Sequence, residues 1–133
     1  MVGIEEMVIV YEKFLNNPCG KSIGDCAVRA ISVALDIDWY EAFDLLVREA
    51  RRMCDMPSAD AVWGSVLRRN GFSRSVIPNN CPNCYCAEDF CQDHPNGIYT
   101  LAFGGHVATI RDGVLLDSWD SSSETPLYYF YHK

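Results

Sequence analysis

The sequence lacks any run of about twenty apolar residues, the length a helix needs to cross a bilayer. It is also poor in cations: 11 Lys and Arg stand against 18 Asp and Glu, for a net charge of −7. A general nucleic-acid binder displaces counterions from phosphates and needs the opposite balance. The first ten positions hold no Lys or Arg, and Glu5 and Glu6 stand where an export signal would carry positive charge. Internal repeats are missing, and Ser121-Ser122-Ser123 is the one biased run. These absences set the expectation of a cytoplasmic protein with no membrane segment and no general nucleic-acid binding.

What is present is a core. At 133 residues and 49% hydrophobic, the chain suits one domain over residues 1–133 and is too apolar for disorder. Seven cysteines are an odd number, and without an export signal they are expected as thiols rather than as a disulfide framework. Cys19, Cys26 and Cys54 lie apart, while Cys81, Cys84, Cys86 and Cys91 cluster.

The pattern predicts helices first and strands last, an α+β domain with N-terminal helices packed on a C-terminal antiparallel sheet. Met7–Phe14 reads as a short strand or a helical turn. Residues 16–24, NNPCGKSIG, are turn chemistry. Asp25 then stands where an N-cap belongs, ahead of CAVRAISVAL. In that helix the polar residues Asp25, Arg29, Ser32 and Asp36 form one narrow stripe at helical spacing, so neighbours should bury most of the rest. Asp38, with Glu41 three residues on, predicts a second helix over residues 39–52 with Phe43, Leu46, Val47 and Ala50 inward. A third helix follows Pro57 and Ser58, turns Val62, Trp63, Val66 and Leu67 inward, and stops at Asn70-Gly71. Arg48, Arg51, Arg52, Arg68 and Arg69 lie toward helix C-termini, where cations complement the dipole. Phe72–Ile77 alternates weakly, as an edge strand would.

Strands are expected at Ile98–Phe103, His106–Arg111, Val114–Trp119 and Pro126–Tyr131. Asp112-Gly113 predicts a type I′ hairpin turn, and that turn fixes a register. Arg111 faces Val114, Ala108 faces Asp117, and His106 becomes a diagonal neighbour of Asp117 on one sheet face. A one-residue slip would separate them. Cys26, at a helix N-terminus, is placed for thiolate stabilisation by the free amides and the dipole. An imidazole can take its proton, and a carboxylate can hold the other ring nitrogen. Taken singly, Cys26 reads as a small core hydrophobe and His106 as a hydrogen-bonded strand residue. Taken jointly, they read as nucleophile, base and, with Asp117, orienter.

Gly24-Asp25-Cys26 opening a buried helix, Gly105-His106-Val107 opening a strand, and Asp117-Ser118-Trp119 one hairpin later resemble the papain-like cysteine peptidase superfamily. The compact length is most similar to the bacteriocin-processing peptidases attached to export transporters. It is similar also to small papain-like proteins carried by phages and gut bacteria. The resemblance covers about residues 15–40 and 97–120. It implies a papain-like fold, a peptide or protein substrate, a thiol hydrolase or acyl transferase activity on a peptide or isopeptide bond, and no required cofactor. It assigns Cys26, His106 and Asp117 the catalytic roles and makes Trp119 the shield over the His–Asp pair. In that superfamily a Gln six residues before the nucleophile helps to hold the oxyanion. Gly20 occupies that place, leaving the Cys26 amide as one donor and Asn17, Lys21 or Ser22 as sources of another.

Two other functions fit parts of the pattern. NlpC-type cell-wall amidases also place Asp-Cys before a helix and His-Val on a strand, but their third residue is usually a His at the position of Ser118. A papain-like scaffold of phage origin that binds a protein without catalysis is the other. Residues 78–96 read as a cysteine-rich loop insertion. Within it Cys81, Cys84, Cys86, Cys91 and His94 offer five soft ligands in fourteen residues for a structural zinc. Cys91-x-x-His94 is too close for a standard finger, however, and residues 87–90 can start a helix, so reduced loop thiols are the competing reading. Cys19 and Cys54 are assigned structural roles.

Overall fold

The structure, a computed structural model, describes residues 9–77 and 84–132. In chain order the elements are β1 (Tyr11–Lys13), α1 (Cys26–Leu35), α2 (Trp39–Met53), α3 (Asp60–Arg69), β2 (Phe72–Val76), α4 (Ala87–Asp93), β3 (Ile98–Phe103), β4 (His106–Arg111), β5 (Val114–Asp117) and β6 (Tyr128–His132). The fold is α+β, as the element pattern predicts. No helix among the described residues is long and apolar enough to cross a membrane.

The six strands form one sheet in the order β1-β5-β4-β3-β6-β2. The sheet is mixed rather than purely antiparallel, because β1 pairs parallel with β5 at one edge. The apolar stretch before the NNPCG turn therefore supplies a strand. Its parallel partner lies about a hundred residues away, a pairing that no local pattern encodes.

Two apolar layers cover the sheet. On one face Ile31, Leu46, Trp63 and Leu67 of α1–α3 pack with Val107 and Phe130. On the other, Phe90 and Cys91 of α4 pack with Leu101, Ala108, Ile110 and Leu115. Of the predicted loop insertion at 78–96, residues 78–83 lie outside the described residues, and residues 84–96 contain a helix with a buried face. All four predicted inward residues of α3 are buried. In α2 the buried stripe is instead Ala42, Leu46, Glu49 and Ala50, with Phe43 and Val47 exposed. The reason is Glu49: Arg52, Arg69 and the Ser65 hydroxyl all donate to its carboxylate, which makes a charged residue tolerable inside. Hydrophobic spacing does not register such a position.

Candidate active site

The site begins with local backbone rules. Asp112 and Gly113 have φ values of 50° and 78°, both positive, as a type I′ turn requires. The pairing that follows is Arg111 with Val114, Ile110 with Leu115 and Thr109 with Leu116, the register read from the sequence. In such a hairpin the residues flanking the two-residue loop exchange both hydrogen bonds, and so does every second pair beyond them. Arg111–Val114 and Thr109–Leu116 are such pairs, and Val107–Ser118 would come next. However, β5 ends at Asp117, short of the expected Trp119. The Val107 amide is thereby released from the ladder, and it donates to the Cys26 thiol.

Asp25 does not act as the expected side-chain cap of α1. Its carboxylate accepts instead from Arg29 Nη1 at 2.8 Å and from Trp39 Nε1 at 3.0 Å. Cys26 is the first residue of α1, so its own amide has no intrahelical acceptor. That leaves an N–H beside the thiol, at the positive end of the helix.

His106 joins the two halves. Its Nε2 donates to Asp117 Oδ2 at 2.6 Å, and its side chain also hydrogen-bonds with Cys26, which leaves Nδ1 for the sulfur. Asp117 is fully buried and well supplied with donors. Ser121 Oγ donates to Oδ2 at 2.6 Å, the Ser118 amide to Oδ1 at 2.7 Å, and Arg29 Nη2 reaches Oδ1 at 3.5 Å. Arg29 Nη2 also donates to Ser118 Oγ at 3.2 Å. The indole of Trp119 lies beside the imidazole, tilted, with its ring centre 5.3 Å from that of His106, and is itself exposed.

Protonation follows from these contacts. Burial pushes the Cys26 thiol up, but the hydrogen bonds from His106 and Val107 outweigh it, and the net shift is downward. Burial pulls His106 down, yet its bonds to Asp117 and Cys26 raise it to about 9. Burial also opposes the charge on Asp117, and the donors from His106 and Ser121 more than offset this, holding it below the ordinary carboxylate range. The arrangement favours thiolate, imidazolium and carboxylate in sequence, with Arg29 as a buried counter-cation.

No protein-family model matches the chain, and no curated protein or solved structure is significantly similar to it.

The other candidate residues lie elsewhere. Asn17 organises its own loop, with Oδ1 accepting from the amides of Cys19 at 2.9 Å and Lys21 at 3.3 Å. Lys21 and Ser22 are exposed. Of the zinc candidates, Cys81 lies outside the described residues, and Cys84 is exposed. Cys86 precedes α4 and bonds Asp89, Cys91 is buried against the Val10 carbonyl, and His94 Nδ1 donates to the Phe90 carbonyl at 2.9 Å. Among the described residues no three His, Cys, Asp or Glu side chains gather as a metal-holding group.

Sequence spacing does not give Arg29, Ser121 or Trp39 a place in the site. Arg29 left a signal in the polar stripe of α1, since a buried helix does not carry an arginine without a partner for it. Ser121 left none, because it sits in a serine run that reads as loop.

Proposed function

We propose that the protein is a papain-like thiol hydrolase or acyl transferase acting on peptide or isopeptide bonds in a reducing, cytoplasmic setting. The observation that carries this reading is that one imidazole bridges the thiol of Cys26 and the buried carboxylate of Asp117. The hydrogen bonds from His106 and Val107 lower the Cys26 pKa, and His106 can take the thiol proton, so the thiolate forms without hydroxide. Its sulfur attacks the substrate carbonyl carbon, and the Cys26 amide donates to the developing oxyanion. When the tetrahedral intermediate collapses, the carbon–nitrogen bond breaks. The leaving amine takes the proton from His106, and a thioester to Cys26 remains. Water, or an acceptor amine in a transferase, then attacks the thioester carbon while His106 takes its proton, and the carbon–sulfur bond breaks to release the acyl product and return the Cys26 thiolate. Asp117 keeps the ring oriented throughout.

The test is alkylation of the full chain with iodoacetamide at pH 6, followed by peptide mapping. Cys26 should be modified well ahead of the exposed thiols Cys19 and Cys54. Equal rates would overturn the activated-thiol reading.

The NlpC-type alternative is disfavoured because Asp117 is the residue that holds His106, whereas the Ser118 hydroxyl accepts from Arg29. The non-catalytic binding module is favoured by one observation. Gly20 has no side chain to donate to an oxyanion. Selective alkylation of Cys26 without turnover of any acyl substrate would point to that module.

A further inference from the structure

A cavity of about 730 Å³ opens at the end of the sheet away from the thiol. Ile98, which lines it, pairs with Arg111, whereas Phe103 pairs with His106. The cavity therefore lies at the open end of the β3–β4 hairpin, roughly 17 Å of strand from the imidazole. Leu35 also lines it, at the last residue of α1, roughly 14 Å of helix from Cys26. The volume falls inside the range of about 300–1,000 Å³ typical of pockets that hold a small molecule.

The lining has an apolar floor and a charged wall. Phe72 is buried, and Leu35, Ile37, Leu45 and Ile98 pack on the core while keeping part of their surface open. The wall comes from α2, where Glu41, Asp44, Leu45 and Arg48 recur at helical spacing and share one face. Its charges are uncommitted. Among the described residues neither carboxylate nor Arg48 joins an ion pair, although Asp44 and Arg48 stand four residues apart. Arg52 and Arg69 differ, since both close on Glu49. The other polar side chains of the lining are engaged: Asn70 donates its amide to the Val66 carbonyl, and the His132 ring packs edge-on against Phe72.

This layout selects a ligand. Glu41 and Asp44 precede Arg48 by roughly 10 and 6 Å of helix. An extended chain advances about 3.3–3.6 Å per residue, so the two ends of a dipeptide or tripeptide match that separation. A free amino end meets the carboxylates, a free carboxylate meets the guanidinium, and an apolar side chain covers the floor. A wholly apolar molecule would desolvate three charges without a partner, and the interior of a long chain has no charge to offer either end.

We infer that this cavity binds a short zwitterionic peptide, with both ends free and a large apolar side chain, at a site separate from the thiol. The inference goes beyond the acyl-transfer reading and does not depend on it.

Isothermal titration calorimetry tests it on the full chain carrying Cys26→Ala, which keeps the probes from being turned over. The probes are Leu-Phe, N-acetyl-Leu-Phe, Leu-Phe amide and Ala-Ala. Leu-Phe should bind, and blocking either end should weaken binding about tenfold. Ala-Ala should be weaker by about tenfold or more, for want of apolar burial. Arg48→Gln should erase the preference for the free acid over the amide and keep the preference for the free amine. Glu41→Gln combined with Asp44→Asn should do the reverse. All three side chains are exposed, so the variants should keep the fold. Each preference is a ratio within one variant, so a general loss of affinity does not move it. No binding heat from Leu-Phe at millimolar concentration, equal affinity for free and blocked dipeptides, or preferences that survive both sets of substitutions each overturns the inference. Iodoacetamide selectivity on the unsubstituted chain reports on the acyl-transfer reading alone, so the two can fail separately.

Discussion

Cys26 and Cys91 are two thiols on opposite sides of one sheet, and their chemistry diverges. Burial pushes both away from ionisation. For Cys91, packed under α4 among Phe90 and Leu115, burial dominates and the pKa climbs to about 12. For Cys26, the imidazole, the Val107 amide and the Arg29 charge reverse the sign. Seclusion alone makes a cysteine inert. A cation and an amide directed at the sulfur lower its pKa instead.

The comparison can be broken from the Cys26 side. Asp117→Asn keeps the shape of the orienter but removes its charge and reverses a hydrogen-bonding end. Turnover of an acyl substrate should fall by about 10³–10⁴, read as kcat/KM. His106→Ala should make Cys26 resemble Cys91, with iodoacetamide alkylation at pH 6 slowed about a hundredfold. Arg29→Met leaves Asp25 and Asp117 buried without their cation, and should cost about 3 kcal/mol of stability in urea unfolding. Arg29→Lys should recover part of that loss, because an ammonium lacks the fork that reaches both carboxylates. On the other side, Cys91→Ala should leave Cys26 alkylation unchanged and cost about 1 kcal/mol for the small void.

pH sharpens the contrast more gently. His106 is raised from 6.5 to about 9 by its partners in the folded state. Its pairing therefore stabilises the fold fully below about pH 6.5, and the contribution is lost as pH rises through about 9. Glu49 behaves oppositely. Lowered from 4.5 to about 2, chiefly by Arg52 and Ser65, it stabilises above about pH 4.5 and loses that effect as pH falls toward 2. Thermal melts should show both limbs. His106→Gln should flatten the alkaline one, and Glu49→Gln the acid one.

The hairpin was legible in the sequence because Asp112-Gly113 tolerates two positive φ values and flanking alternation does the rest. From it came the His106–Asp117 pair. The buried face of α3 was equally plain. Three features were not legible, each for a physical reason. The inward face of α2 is rotated because Glu49 is held inside by Ser65 and Arg69 of α3 and by Arg52 of α2 itself. The carboxylate of Asp25 bonds two side chains rather than the helix amides, an outcome settled by tertiary contacts. The role of Arg29 depends on Asp117, 88 residues away, so the polar stripe announced a burial without naming what it met.

The short β5 has a consequence for how this chain tolerates change in length. Hairpins are ordinarily permissive of insertions, especially near an exposed tip such as Asp112. Here one residue added within Val114–Leu116 would turn the carboxylate of Asp117 to the far surface. Two would restore the facing but carry it about 7 Å along the strand, beyond contact with its histidine. A hairpin that could accept many changes of residue type is thus held to a fixed count between its bend and its acid.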